Sequence, residues 1–329
     1  MRRYLLCSLL WTLPLLLPAQ LHTSTQTTRL MGCGFELTAV HPDSALARQA
    51  IESGIAEIQR IEGLISSWAP ASQTSAVNRA AGQRAVAVDP ELFRLIRRSL
   101  KVSELTAGAF DISFAAMDQL WNFDGQAQAL PPAERIAGAV DLVDYRDILL
   151  DEAAGTVMLR RRGMKIGFGG IGKGYAANRA KDVMRELGIE HGVVNASGDL
   201  VCWGQQADGQ DWGVAIADPQ DTRKVAAWLR VGDGAIVTSG DYEKFLLLNG
   251  RRHAHIIDPR TGYPTAGIKS VSVICPDPEL ADALATSIFV LGVREGLALI
   301  NQLRGIECLI IDEQDQLIQS DQLVLHRVE

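Results

Sequence analysis

The segment 280–291, Leu-Ala-Asp-Ala-Leu-Ala-Thr-Ser-Ile-Phe-Val-Leu, constrains the chain most. Apart from Asp282, Thr286 and Ser287 it is wholly apolar, so as a helix it has almost no face to give to water and most of it is buried. Asp277-Pro278-Glu279 just before it supplies a capping Asp and a Pro suited to the first turn. An ionised carboxylate in such a place is costly unless it is paired or bound to a cation. Asp282 and Thr286 are four residues apart, stacked on one helical face, and both present oxygen. Hard oxygen ligands suit magnesium or calcium rather than zinc. The competing reading is a buried Asp satisfied by a backbone N–H or an arginine.

The rest of the chain alternates between strand-like and helix-like segments, without repeats or a long linker. Residues 35–40 read as a strand. Asp43-Ser44 then caps an amphipathic helix carrying Ile51, Ile55, Ile58, Ile61 and Ile65. Asp89-Pro90-Glu91 opens another, with Leu92, Ile96 and Leu100 on one face, ending near Thr106-Ala107-Gly108. Residues 124–133 are polar and Pro-containing, a surface loop, and 156–159 a short strand. A Gly-rich turn enters a helix bearing Ala176, Ala180, Val183, Met184 and Leu187, stopped by Gly188. Strands are expected at 213–217, 225–231, 235–238, 245–248, 253–257 and 271–275. Hairpin-length connections predominate after Val193, which predicts an α+β fold with largely antiparallel sheets.

Composition narrows the class. The 329 residues hold 32 Lys and Arg against 39 Asp and Glu, a net charge of −7, which argues against a nucleic-acid scaffold. With 47% hydrophobic and 22% charged residues, long disorder and collagen-like classes are excluded. Arg2-Arg3 followed by an apolar run over 4–17, broken only by Ser8, Thr12 and Pro14, is too short for a spanning helix, which needs roughly 20 apolar residues. It reads as a signal peptide over 1–20, exporting a domain of residues 21–329 to the periplasm or the outer face of the cytoplasmic membrane. Cys7 lies inside the apolar run, too early to carry a lipid. Cys33, Cys202, Cys275 and Cys308 are widely spaced, with no CxxC, and are expected neither to form a structural disulfide nor to bind metal.

Three further places could carry chemistry. The run Gly167 to Tyr175, GFGGIGKGY, matches the G-x-x-x-x-G-K core of a phosphate loop, but Gly174 stands where Ser or Thr would hold magnesium. Its glycines, helix-start amides and Lys173 suit an anion, against the plainer reading of a tight turn packed on helices. Asn195 to Asp199 has turn composition. His253-Ala254-His255 could aim two imidazoles to one face if it is a strand, but no third nitrogen or sulfur ligand lies near. One His as base or phosphate contact is the sharper reading, and Asp258-Pro259-Arg260 is a turn in which Arg260 can pin a carboxylate.

In order along the chain these motifs resemble the ApbE family of FAD:protein FMN transferases. The carriers are Met31-Gly32, Ser67-Trp68, Thr106 to Ile112, Leu120-Trp121, Gly170 to Tyr175, Asn195 to Asp199, Thr238 to Glu243, His255 to Pro264 and Ala281 to Thr286. The resemblance implies a single α+β unit of two intimately joined halves. It also implies transfer of the FMN half of FAD to a Thr or Ser hydroxyl of a partner protein, with AMP leaving, the acceptor being a membrane-associated redox subunit. It implies magnesium held by the Gly170 carbonyl, Asp282 and Thr286. Flavin and adenine contacts would fall on Met31, Trp68, Ala109, Phe110, Asp111, Lys173 and Ile256, and His255 would be the catalytic base, for which an unperturbed pKa near ~6.5 is suited. Asp282 counts with it as catalytic through the metal. Where the family has an Asp three residues before the backbone metal ligand this chain has Gly167, which puts an FAD contact or an indirect support of the metal in question. Two alternatives share the site: an FAD pyrophosphatase, in which water replaces the acceptor hydroxyl, and a non-catalytic flavin-binding protein.

Overall fold

The computed structural model describes residues 20–123, 126, 129–221, 223–241, 244–248 and 251–324. The expected signal peptide, apart from Gln20, lies outside the described residues, as do Tyr242, Glu243 and four positions of the expected 124–133 loop. An eight-stranded sheet takes its strands in chain order: His22–Leu30, Cys33–His41, His191–Ala196, Asp199–Trp203, Gly234–Gly240, Ile268–Cys275, Glu307–Asp312 and Leu317–Gln319. Every neighbouring pair is antiparallel, as the short connections predicted. Two of these are two-residue hairpins with both residues at positive φ, the pattern of a type I′ turn. Met31-Gly32 has φ of 49° and 78°, and Ser197-Gly198 has 52° and 99°. The turn chemistry of Asn195 to Asp199 therefore closes a hairpin, with Asn195 Oδ1 accepting from the Gly198 N–H at 3.0 Å.

Seven helices among the described residues complete the fold: α1 Ser44–Ile65, α2 Gln73–Arg79, α3 Pro90–Leu105, α4 Ala133–Val140, α5 Gly172–Glu186, α6 Pro278–Leu291 and α7 Val293–Ile300. The caps read from sequence are all made, with Asp43, Asp89 and Asp277 each accepting from backbone N–H groups of the first turn. The buried face of α1 carries Ile51, Ile58, Ile61 and Ile65 and packs on α5 and on the Cys33–His41 strand. Helix α6 is enclosed by α5, α7 and the strands Gly234–Gly240 and Ile268–Cys275. From Ala281 to Val290 every residue is buried except Thr286.

Arg98 of α3 donates two hydrogen bonds, at 2.6 and 2.9 Å, to the buried Glu279 of α6, while its guanidinium lies 5.5 Å from the Tyr175 ring of α5. Burial pushes the Glu279 carboxyl up and Arg98 opposes the shift. This clamp fixes the start of α6 against α3 and α5.

The stretch 253–257 departs from its expected strand. The strand is Arg251–Ala254, paired with Phe245–Leu248, and it stops at Ala254. Beyond it the Ile256 carbonyl accepts from Thr265 N–H and Oγ1, and Ile257 bridges only to Pro264. The loop around Asp258-Pro259 has taken the chain out of the ladder, so His253 and His255 do not share a strand face. Among the described residues Cys202, Cys275 and Cys308 form no disulfide.

Candidate active site

The Gly-rich segment before α5 is anchored at several points. Asn78 of α2 reads both backbone groups of Ile166, donating to its carbonyl at 2.9 Å and accepting from its N–H at 2.8 Å. The Gly167 N–H donates to Ile112 O, and the Gly172 N–H to Phe168 O. The turn then delivers α5 against α6 at a separation that only glycine permits. A Cβ on Gly174 would lie 2.1 Å from the Pro278 carbonyl oxygen and 3.0 Å from Asp282 Cβ. That close approach explains why glycine stands where a phosphate loop carries Ser or Thr.

Asp282, 3% exposed, accepts the Gly174 N–H on Oδ2 at 3.1 Å. A carboxylate thus does occupy the start of α5, and it belongs to the chain itself. One turn further along α6, Thr286 faces Gly170: a Cβ there would be 2.9 Å from Thr286 Oγ1. Among the described residues no cluster of three or more His, Cys, Asp or Glu could hold a metal ion. The donors brought together are one carboxylate, one hydroxyl and the backbone of Gly170. This set fits magnesium, which takes one or two carboxylates, keeps several waters and completes its shell with substrate phosphate.

Thr286 and Gly170 open onto a cavity of about 560 Å³, within the range of small-molecule sites. Trp68, Ala109, Phe110, Asp111, Gly167, His255 and Ile256 line it as well. Trp68, just beyond α1, is 76% exposed at its edge. Nine residues assigned to the site through the family resemblance therefore share one cavity wall. Met31, Lys173 and Asp282 do not line it. Met31, in the first hairpin turn, reaches Gly172, where a Cβ would meet its Cε at 3.6 Å. Lys173 Nζ lies 2.8 Å from Asp199 Oδ2, and Asp199 is 1% exposed. Burial raises the Asp199 carboxyl, opposed by the Lys173 charge.

Asp111 is committed to the fold. Oδ1 accepts from Ser113 N–H and Oγ at 2.8 and 2.7 Å, and Oδ2 from the Tyr145 N–H at 2.8 Å. Burial raises its pKa against those donors. Gly167 leaves little room for a larger residue, because a Cβ would stand 3.0 Å from Ala115 Cβ.

His255 is half-buried, its N–H donates to Lys244 O at 3.1 Å, and its ring meets Phe123 edge-on at 6.3 Å. Nδ1 is shut off from solvent with no hydrogen-bond partner among the described residues. Burial, then the charges of Lys173 and Lys244, depress its pKa from the usual 6.5 to about 4. The imidazole is thus neutral at neutral pH by a wide margin, where the sequence suggested an unperturbed group. The unfolded chain takes up the proton first as pH falls, so His255 costs nothing above pH 6.5 and destabilises progressively between 6.5 and 4. The loss should reach on the order of 3 kcal/mol and then level off. Denaturant unfolding from about pH 7 to 4 should show this slope, and His255→Gln should flatten it.

Three features escaped sequence reading. Asp118 lines the cavity and is held by Lys165 Nζ at 3.1 Å, Lys244 lines it beside His255, and Asp199 balances Lys173. Only Asp199 carried a signal, as the last residue of the Asn195 to Asp199 turn already singled out, though its pairing with Lys173 was not readable.

This cavity beside a buried carboxylate and hydroxyl, on an antiparallel sheet wrapped by helices, defines a small-molecule site suited to a phosphorylated ligand. The ApbE family model matches residues 31–310, and the chain belongs to that family. It is 30% identical to a FAD:protein FMN transferase of Klebsiella pneumoniae (strain 342), over 88% of this chain and 90% of that protein. It is 33% identical to one of Treponema pallidum (strain Nichols), over 82% and 78%. The crystal structure of the ApbE protein from Thermotoga maritima superposes with a TM-score of 0.84 at 30% identity, covering 91% of this chain and 97% of that one.

Proposed function

The chain is a FAD:protein FMN transferase, and we propose that it works with magnesium at this cavity. The observation that carries this is the convergence of His255, Thr286 and Gly170 on one cavity whose other walls are largely aromatic and apolar. Such walls suit a flavin ring, and the polar end suits the diphosphate. The acceptor Thr or Ser oxygen attacks the phosphorus on the FMN side of the diphosphate. The new ester bond forms there, the bond to the AMP phosphate breaks, and AMP departs. Neutral His255 takes the hydroxyl proton. A magnesium ion held by Asp282, Thr286 and the Gly170 carbonyl would polarise the phosphate and steady the leaving AMP. The chain itself supplies position and a largely apolar wall.

The basic start and apolar run of the first twenty residues support export. The acceptor would then lie in the periplasm or on the outer membrane face, as a redox subunit. Incubation with FAD, magnesium and an acceptor protein should raise the acceptor's intact mass by one FMN. Release of free FMN alone would instead indicate a hydrolase, and intact FAD after hours a binding protein. His255→Ala should slow transfer by about 10²- to 10⁴-fold while sparing FAD binding, and an unchanged rate would remove His255 from the reaction.

A further inference from the structure

We propose that Lys244 is the cation that receives the diphosphate of FAD in this cavity, a role that rests on the reading of the chain as an FAD-consuming enzyme. Among the described lining residues there are two carboxylates and a single Lys or Arg, which is Lys244. Neither carboxylate is available to compete for it. Asp111 spends both oxygens on Ser113 and Tyr145, and Asp118 is engaged by Lys165.

Lys173 is the other candidate, and the sequence favours it. Its ammonium is instead 2.8 Å from the buried Asp199, which partly offsets it, and although its charge also reaches His255 it does not line the cavity. Lys244 differs on each count. Its side chain is exposed, and among the described residues no ion pair engages it. Its carbonyl accepts the His255 N–H, which fixes its backbone beside the imidazole. Its charge is also felt there, since it helps hold His255 unprotonated. A lysine on a flexible four-carbon stem, with three rotatable donors, suits a phosphate that must be approached from solvent. Among the described lining residues, an anion entering this cavity therefore meets one Lys or Arg side chain, that of Lys244, at the end where His255 waits.

The test compares FAD with riboflavin, which keeps the ring and lacks both phosphates, by calorimetric titration of the wild type, Lys244→Met and Lys244→Arg. Lys244→Met should bind FAD about 10- to 100-fold more weakly, the loss of one charge-assisted hydrogen bond, with riboflavin affinity unchanged. Lys244→Arg should keep most of the affinity. Added salt should weaken FAD binding more in the wild type than in Lys244→Met. Wild-type affinity for FAD in Lys244→Met overturns the proposal, and so does an equal loss of FAD and riboflavin, which would make Lys244 a wall residue only. A wild-type protein that binds no FAD would overturn the functional reading as well, so the two failures are distinct.

Discussion

Replacing Asp282 with Ala should abolish magnesium-dependent turnover while leaving the protein folded. Asp282 is the sole carboxylate among the donors gathered from Gly170, Asp282 and Thr286, and among the described residues no acidic cluster stands by to take over its charge. Loss of a hard-oxygen ligand that places the ion against phosphate should lower the rate on the order of 10²-fold or more. The truncation also leaves the Gly174 N–H without its acceptor, at roughly 1–3 kcal/mol, less than the ~5–15 kcal/mol that holds a typical domain. Asp282→Asn separates the two effects. An amide oxygen can still accept from Gly174, so stability should return toward wild type, while a neutral ligand should leave turnover low. Magnesium titrations of FAD consumption, with thermal melts on both variants, make the comparison. Full activity in Asp282→Ala would remove the carboxylate from the metal site.

The α6 sequence announced its burial because a helix apolar apart from Asp282, Thr286 and Ser287 has no face to give to water. Helix starts were readable for a similar reason, since Asp43, Asp89 and Asp277 act on N–H groups two or three residues away. The strand His22–Leu30 was not legible. It is an edge strand with most of its residues exposed on both faces, so no alternation marks it. The end of the Arg251–Ala254 strand was set by Thr265, nine residues beyond Ile256. Electrostatics were least legible. The depressed pKa of His255 depends on burial and on Lys173, 82 positions earlier in the numbering, neither of which local spacing encodes. Likewise the sequence pointed to Lys173 through its Gly-rich motif, and only the fold shows that Lys173 pairs with Asp199 while Lys244 lines the cavity.

The contact between α5 and α6 sets the largest expected loss of stability from a small substitution. Gly174→Ala adds one methyl group, and its carbon would fall 2.1 Å from the Pro278 carbonyl oxygen and 2.7 Å from the carbonyl carbon. Both obstacles are backbone at the start of a helix clamped by Arg98 through Glu279, so no rotamer change relieves the clash. The helices must separate, which breaks the Gly174 to Asp282 hydrogen bond and draws Thr286 away from Gly170. Overpacking of this kind typically costs about 1–3 kcal/mol, and a backbone obstacle puts this case at about 3 kcal/mol. Magnesium dependence should weaken in step with it, because the displaced helix carries two of the three proposed ligands. Gly63→Ala is the control. Gly63 lies in α1, and a methyl group there would meet nothing within 4 Å, so the change should stabilise by about 0.5–1 kcal/mol through helix propensity. Chemical denaturation of both variants decides the matter: a Gly174→Ala protein as stable as wild type would mean that α5 and α6 are not held at this separation, and the metal site argued from their contact would lose its geometric basis.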